Sequence, residues 1–476
     1  MGQKTTHRTN YEALRAHFAG YQQDHVFRFW DTLAADARER LLAQAARIDL
    51  GELARVQESL GSAQPEAAGA LEAIPVERIP EHGGSAARFA EARERGEAIL
   101  RAGRVAALVV AGGQATRLGF AGPKGAFPLG PVSDRSLFEQ QAQKLRRLRS
   151  RYRCDIPWYV MTSDATDAPT RALLAEHKYF GLPEQDVFVF RQGMVPSLDF
   201  GGRMLLERPD RIFENPNGHG GSLTALLDSG ALDDMERRGI DTLFYYQVDN
   251  PLVRLADPAY LGFHDAAGAD MSCKVIKKRD AAEKVGVVAR RDGKIGVVEY
   301  TEISDTHRNA RDDAGELVYW AGNAAIHVLG TRFVRRTARQ AERSLPFHAS
   351  PKKIPALDAD GRPSEPSEPN GHKLERFIFD ALPAARAVCV VEAQRSLEYS
   401  PVKNATGEDS PETARRDLMA CYRSWLEEAE IALPGPDIAL EIDHAVVDGP
   451  EDAQRLGVAS IQEASEVIRQ SSGASR

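Results

Sequence analysis

The stretch 106–125, AALVVAGGQATRLGFAGPKG, runs from an apolar segment through two glycines to two cations, Arg117 and Lys124. An uninterrupted apolar segment reads as a parallel strand covered on both faces. Gly112 and Gly113 let the chain turn tightly and let a ligand approach the backbone, because no Cβ stands in the way. Amide hydrogens bared in such a turn make an anion nest, and a guanidinium and an ammonium beside it add full positive charge. Together these parts suit a nucleoside triphosphate. The spacing is not GxxxxGK[ST], which excludes an ordinary P-loop, and it is not GxGxxG, which argues against a dinucleotide site.

Other residues sit where an open α/β sheet meets its ligands. Gln192 follows the apolar run VFVF, at the carboxyl end of a strand. Its amide offers both a donor and an acceptor, although by itself it also reads as an ordinary loop glutamine. NPNGHGG, 215–221, is a second glycine-rich turn, and it opens a helix over 222–227 whose free amides can meet polar ligand atoms. Asp249 closes the run TLFYYQV. An acid there can hold Mg²⁺, which takes one or two carboxylates together with phosphates and waters. It reads equally as a turn or helix cap.

The elements that must position these residues follow from periodicity. Between 11 and 103 the pattern is mostly helical: Tyr11, Leu14 and Phe18, then Phe27, Trp30 and Leu33, recur at helical intervals. From 104 to about 404 short apolar runs (VAALVV, PWYVM, VFVF, TLFYYQV, MSCKVI, IGVVEY, AVCVVE) alternate with helical stretches such as 136–149 and 168–177. That alternation predicts an α/β fold with a mostly parallel sheet covered on both faces. Two polar stretches, 305–315 and 350–371, the second with five prolines, read as long loops and candidate lids. After 404 come a helix over 413–431, a strand-like ALEIDHAVV and a charged helical tail. The expected organisation is a helical domain over 1–103, a catalytic domain over 104–404 and a small domain over 405–476.

Composition narrows the partners. With 476 residues the chain can bury a large core, and 42% hydrophobic with 27% charged residues is ordinary for a globular protein. A net charge of −8 argues against a nucleic-acid partner, so anionic substrates must be met by local cations. Cys154, Cys273, Cys389 and Cys421 are scattered and show no metal-ligand spacing, which suits buried thiols in a reducing cytoplasm. No apolar run reaches membrane-spanning length, and the first residues lack the apolar core of a signal peptide. Association into a homo-oligomer is left open.

AGGQATRLG followed by PKG resembles the signature loop of the eukaryotic-type UDP-sugar pyrophosphorylases, and within them the UDP-N-acetylglucosamine pyrophosphorylase branch. The likeness continues in order through HKYFGL, RQGMVPSLDFGGRMLLE, NPNGHGG, YYQVDNP, KVGVV, GVVEYTEI, WAGNAAIH, KKIP, PNGHKLERFIFD and YSPVKNA, and it reaches back to the helical lead-in. It implies a Rossmann-like, GT-A-like nucleotidyltransferase fold and the transfer of uridylate from UTP to a sugar 1-phosphate, with Mg²⁺. It implies that Ala111, Gly112 and Gly113 hold the nucleotide through the backbone, and that Arg117 and Lys124 face the triphosphate. Gln192 then reads the uracil edge, Gly218 touches the nucleotide, and Asp249 serves nucleotide and metal. Glu299, Tyr300 and Asn323 meet the sugar, while Lys373 and Lys403 lie at phosphates, Lys403 at the transition state. Taken alone, each of these two lysines reads as a solvated surface cation.

One position departs from that branch. His219 stands where its members carry Asn, and the glucose branch of the family also has a GHG turn. N-acetylglucosamine 1-phosphate is therefore the leading substrate, with glucose, galactose or a broader set of sugar 1-phosphates as the alternative. A catalytically silent nucleotide-sugar binding protein is a remote third reading, because the phosphate cations and the acid are all present.

Overall fold

Val105–Val110 (β1) is buried along nearly its whole length, as an apolar run in the middle of a sheet must be. The computed structural model describes residues 2–61 and 70–470. β1 lies between two parallel neighbours, Trp158–Thr162 (β2) and Thr242–Gln247 (β4), and Val187–Arg191 (β3) continues the parallel set beside β2. On the far side of β4 the direction reverses. Ala321–Gly330 (β8) runs antiparallel to β4, and Met271–Lys277 (β5) runs antiparallel to β8. Val388–Ala393 (β9) pairs in parallel with β5. Val287–Arg291 (β6) and Lys294–Val298 (β7) form a hairpin that touches β8 through Val287 and Gly322. The sheet is thus mixed and mostly parallel, as the alternating pattern predicts. β6 and β8 are strands that the apolar runs did not disclose.

The chain divides into two units, each drawn from three separate segments. One contains Met1–Ala68, Gln192–Thr224 and Gln340–Asp380; the other contains Gly69–Arg191, Ala225–Arg339 and Ala381–Arg476, with the large sheet. This grouping differs from three consecutive domains, and burial supplies the reason. Helix Ala86–Arg101, on the amino side of the expected break at 103, buries Ala92, Ile99 and Leu100 in the same core as β1. Gly96 and Gly262 let it lie against Pro258–Ala266: a Cβ on either would run into a backbone carbonyl of the other helix. Past the expected break at 404, helix Pro411–Glu428 is started by a Ser410 capping box and buries Leu418, Cys421, Tyr422 and Leu426 in that core too.

In the other unit, the helical stripe read from the sequence builds a core of its own. Tyr11 stacks on Trp30 with centroids 4.0 Å apart, and Phe18, Leu41 and Leu53 join Val195, Leu198, Met204 and Leu374. The 350–371 stretch is folded rather than a free loop. Phe347–Lys352 pairs with Gly371–Arg376, and a short hairpin, Ala356–Leu357 with Pro363–Ser364, lies between them. In the sheet-bearing unit, 305–315 likewise contains a Ser304-capped helix, Asp305–Asn309. Among its described residues the charged tail is helical only over Pro450–Gln454, and Ile468–Gln470 then pairs back on Leu440–Ile442. All four cysteines are free thiols, three of them buried. No helix among the described residues is long and apolar enough to cross a membrane.

Candidate active site

The turn after β1 is held from beneath and open above. The Ala111 amide donates to Met161 O on β2 (2.8 Å), and Ser163 Oγ donates to Gly112 O (2.8 Å). The loop then closes on itself, Lys124 N donating to Gly113 O and Ala115 N to Gly122 O, both at 3.0 Å. No backbone carbonyl among the described residues takes the Gly112 or Gly113 amide hydrogens. A Cβ at Gly113 would meet nothing within 4 Å, so protein packing does not require that glycine. A free space beside unclaimed amides is what an anion nest needs. Arg117 sits in the 3-10 turn Thr116–Leu118, exposed.

Lys124 meets Asp249 across this turn, Nζ to Oδ2 at 3.1 Å. Asp249 is buried just past the end of β4, and its carbonyl accepts from Val402 N at 2.9 Å, which places Lys403 in the same neighbourhood. Partial desolvation pulls the Lys403 ammonium down; Tyr399, Asp249 and Asp409 together push its pKa above the ordinary value. Lys403 therefore stays charged. Its Nζ lies 3.7 Å from Asp409 Oδ2, a partner that the sequence reading missed. The β4 exit is also gripped from helix Leu137–Tyr152. Gln141 donates to Val248 O (2.9 Å), and buried Lys144 donates to Pro251 O and Val253 O (2.8 and 2.9 Å). Asn250 is structural, bonded to Glu398 O (2.8 Å) and accepting from Ser400 N (3.1 Å). No sequence pattern pointed to Gln141 or Lys144, because each is matched to the loop only by the fold.

A second group gathers at β7 and β8 of the same unit. Asn323 N donates to Gly286 O at 2.8 Å, and a Cβ on Gly286 would stand 3.2 Å from Glu299 Oε1. Glu299 and Asn323 are thus neighbours through Gly286. Asn323 Oδ1 accepts from Ala325 N (3.1 Å). Tyr300 is 40% exposed.

The remaining residues lie in the helix-bearing unit. Gln192 is buried, yet no group among the described residues takes up its side-chain amide. In NPNGHGG the glycines answer to packing. A Cβ on Gly218 or Gly220 would collide with the backbone of Arg376 and Phe377, and one on Gly221 with the Asn217 side chain. Gly218 also adopts a φ of +85°, which disfavours a side chain. His219 stacks near Phe377 (5.4 Å between centroids), and its Nδ1 accepts from Ile378 N at 3.2 Å. Burial, with a smaller contribution from His348, pulls its pKa to about 4. His219 is therefore neutral near pH 7 and carries its proton on Nε2, a donor but not a cation. Lys373 is paired with Glu375, Nζ to Oε1 at 3.0 Å, so its charge is already partly answered.

Comparison with known proteins gives the family of the chain. A family model described as UTP–glucose-1-phosphate uridylyltransferase matches residues 72–418. The chain belongs to this family. Within the uridylyltransferases it is similar to the human UDP-N-acetylhexosamine pyrophosphorylase-like protein 1, 39% identical over 432 residues that span 87% of this chain and 84% of that protein. It is similar also to the Saccharomyces cerevisiae UDP-N-acetylglucosamine pyrophosphorylase, 36% identical over 86% of this chain and 89% of the other. A solved Trypanosoma brucei uridine diphosphate N-acetylglucosamine pyrophosphorylase, in complex with an inhibitor, aligns with a TM-score of 0.80 at 28% identity. That alignment covers 94% of this chain and 95% of the other. The resemblance read from the motifs, and the fold it implied, are borne out.

Proposed function

We propose that this chain joins UTP to N-acetylglucosamine 1-phosphate, giving UDP-N-acetylglucosamine and pyrophosphate. A phosphate oxygen of the sugar 1-phosphate attacks the α-phosphorus of UTP. The bond from that phosphorus to the bridging oxygen of the β-phosphate breaks, and its electron pair leaves with pyrophosphate. Both reactants are strongly anionic, so the barrier is one of bringing like charges into line, which positioning and charge neutralisation lower.

The observation that supports this reading is the meeting of Lys124, Asp249 and Lys403 beside the open amides of Gly112 and Gly113. On this reading Ala111, Gly112 and Gly113 hold the nucleotide by its backbone contacts, and Arg117 and Lys124 take phosphate oxygens. Lys403 steadies the charge that grows as the new bond forms. Gln192 reads the uracil edge, with Gly218 beside the nucleotide and Lys373 at a phosphate. His219, Glu299, Tyr300 and Asn323 meet the sugar.

The described residues hold no cluster of three or more metal-ligating side chains, so the protein alone builds no metal cage. One carboxylate suits Mg²⁺ that takes its other ligands from phosphates and water, and Asp249 would hold it on that basis. Bound there, the ion would add positive charge between the phosphates.

A second reading changes only the sugar, to glucose, galactose or a broader set, and it is favoured by His219 in place of Asn. Steady-state rates with UTP and a panel of sugar 1-phosphates separate the two. N-acetylglucosamine 1-phosphate is expected to have the highest kcat/KM; a higher value for glucose 1-phosphate would replace the first reading with the second.

A further inference from the structure

The amino ends of the parallel strands lie at the opposite edge of the sheet from Gly112 and Asp249, about 20 Å away along a six-residue strand. Gly103 leads toward β1, Pro157 toward β2, Asp186 into β3 and Ile240 toward β4. Loops at this edge border a cavity of about 660 Å³ walled by Arg101, Arg149, Arg153 and Arg238, with Asp155 as its one carboxylate. That volume is within the range of small-molecule sites.

Carboxylates brace three of the four cations, and Arg153 alone keeps its charge unanswered among the described residues. Buried Asp186 bridges Arg149 (3.0 Å) and Arg238 (2.8 Å), Arg238 is paired with Asp234 as well (2.9 Å), and Arg101 pairs with Glu97 (2.7 Å). Arg149 also reaches Asp155 through Nη2 at 2.6 Å. Its Nη1, however, is shielded from solvent and has no acceptor among the described residues. A buried guanidinium nitrogen without an acceptor is uncommon in native proteins. Arg153 is exposed, and no carboxylate pairs with it among the described residues. It ends helix Leu137–Tyr152 in the left-handed region (φ +52°), where glycine is the usual residue. The chain therefore keeps a long cation, at a cost of about 1 kcal/mol, where a glycine would be relaxed.

We propose that this cavity binds a small molecule carrying two or more phosphate groups, at a site separate from the one that handles UTP. Arginine forks suit phosphate oxygens, and the Asp186 brace holds two of them in fixed orientation before any ligand arrives.

Calorimetric titration of the full chain with inorganic tripolyphosphate at low salt tests the proposal. Two binding events are expected. Arg153→Glu should weaken one of them at least tenfold while leaving the rate of the UTP reaction unchanged, since that side chain is exposed and far from the reaction edge. Arg149→Gln should do the same, with its melting temperature measured to confirm that loss of the Asp186 contact has not unfolded the protein. Lys124→Ala should weaken only the other event. A single event that Lys124→Ala abolishes and Arg153→Glu leaves intact would overturn the proposal, as would two events that both survive Arg153→Glu. Neither result depends on which sugar phosphate the enzyme uses.

Discussion

Lys403, Gln192 and His219 are single side chains whose roles can be separated by what each replacement changes. Lys403 keeps its charge through Tyr399, Asp249 and Asp409 although desolvation opposes it. If it acts on the charge of the transition state, Lys403→Ala should lower kcat by about 10²–10³-fold and move the Kd for UTP by much less. Equal losses in kcat and UTP affinity, measured by stopped-flow binding and turnover, would remove that role. Gln192→Ala should reduce the preference for UTP over other nucleoside triphosphates by about tenfold, the worth of one or two hydrogen bonds; unchanged base preference would contradict it. His219 offers a pH test. Its folded pKa is near 4, below the ordinary 6.5, so the unfolded chain takes up a proton first as pH falls. Its contribution is fully present above pH 6.5 and is lost progressively down to pH 4. Denaturant melts of His219→Asn are expected to show a shallower decline over that window than the parent. The same variant should shift the N-acetylglucosamine-to-glucose preference if this position reads the sugar. The phosphate loop and Asp249 were legible as residues, because they lie at strand ends, and Lys403 was legible only through the family resemblance. Asp409, Gln141 and Lys144 were not, because nothing in their local sequence distinguishes them from other surface acids or helix polars.

At the scale of elements, periodicity found the buried strands and failed where period and burial part company. β8, AGNAAIHVLG, is rich in small residues and reads neither as an alternating strand nor as a long apolar run. It is nevertheless the antiparallel strand that joins β4 to β5, so the sheet's change of direction was invisible beforehand. β6 and β7 did carry a signal, the Asp292-Gly293 turn with both φ values positive, which is the usual two-residue hairpin connection. The packing of Ala86–Arg101 on Pro258–Ala266 is a sharper test of an element. Each helix has a glycine where the other's carbonyl approaches, so Gly262→Ala must push the backbones apart. A loss of about 1–3 kcal/mol is expected in urea unfolding, with a smaller effect for an alanine at an open glycine such as Gly239 only if its positive φ is relieved. An unchanged midpoint for Gly262→Ala would mean that the two helices are not in close contact.

At the scale of the whole molecule, consecutive stretches of sequence and compact units do not coincide. A chain cut after residue 404 would lose helix Pro411–Glu428 and leave its partners in the β-sheet core facing water. That fragment is expected to lack a cooperative thermal transition; a normal melt would show that the last 72 residues form a domain of their own, as the sequence suggested. By itself the sequence determined the reaction family and the strands that hold the phosphate loop, because these depend on short motifs and on local runs of apolar residues. It also located the cations and the acid, which are named by type and position. Only the tertiary structure decided which segments share a core, that His219 is neutral, that the glycines of NPNGHGG serve packing, and that four arginines gather at the far edge of the sheet. Each of those depends on groups distant in sequence coming within a few ångströms, and burial and pairing, not residue type, then set the chemistry.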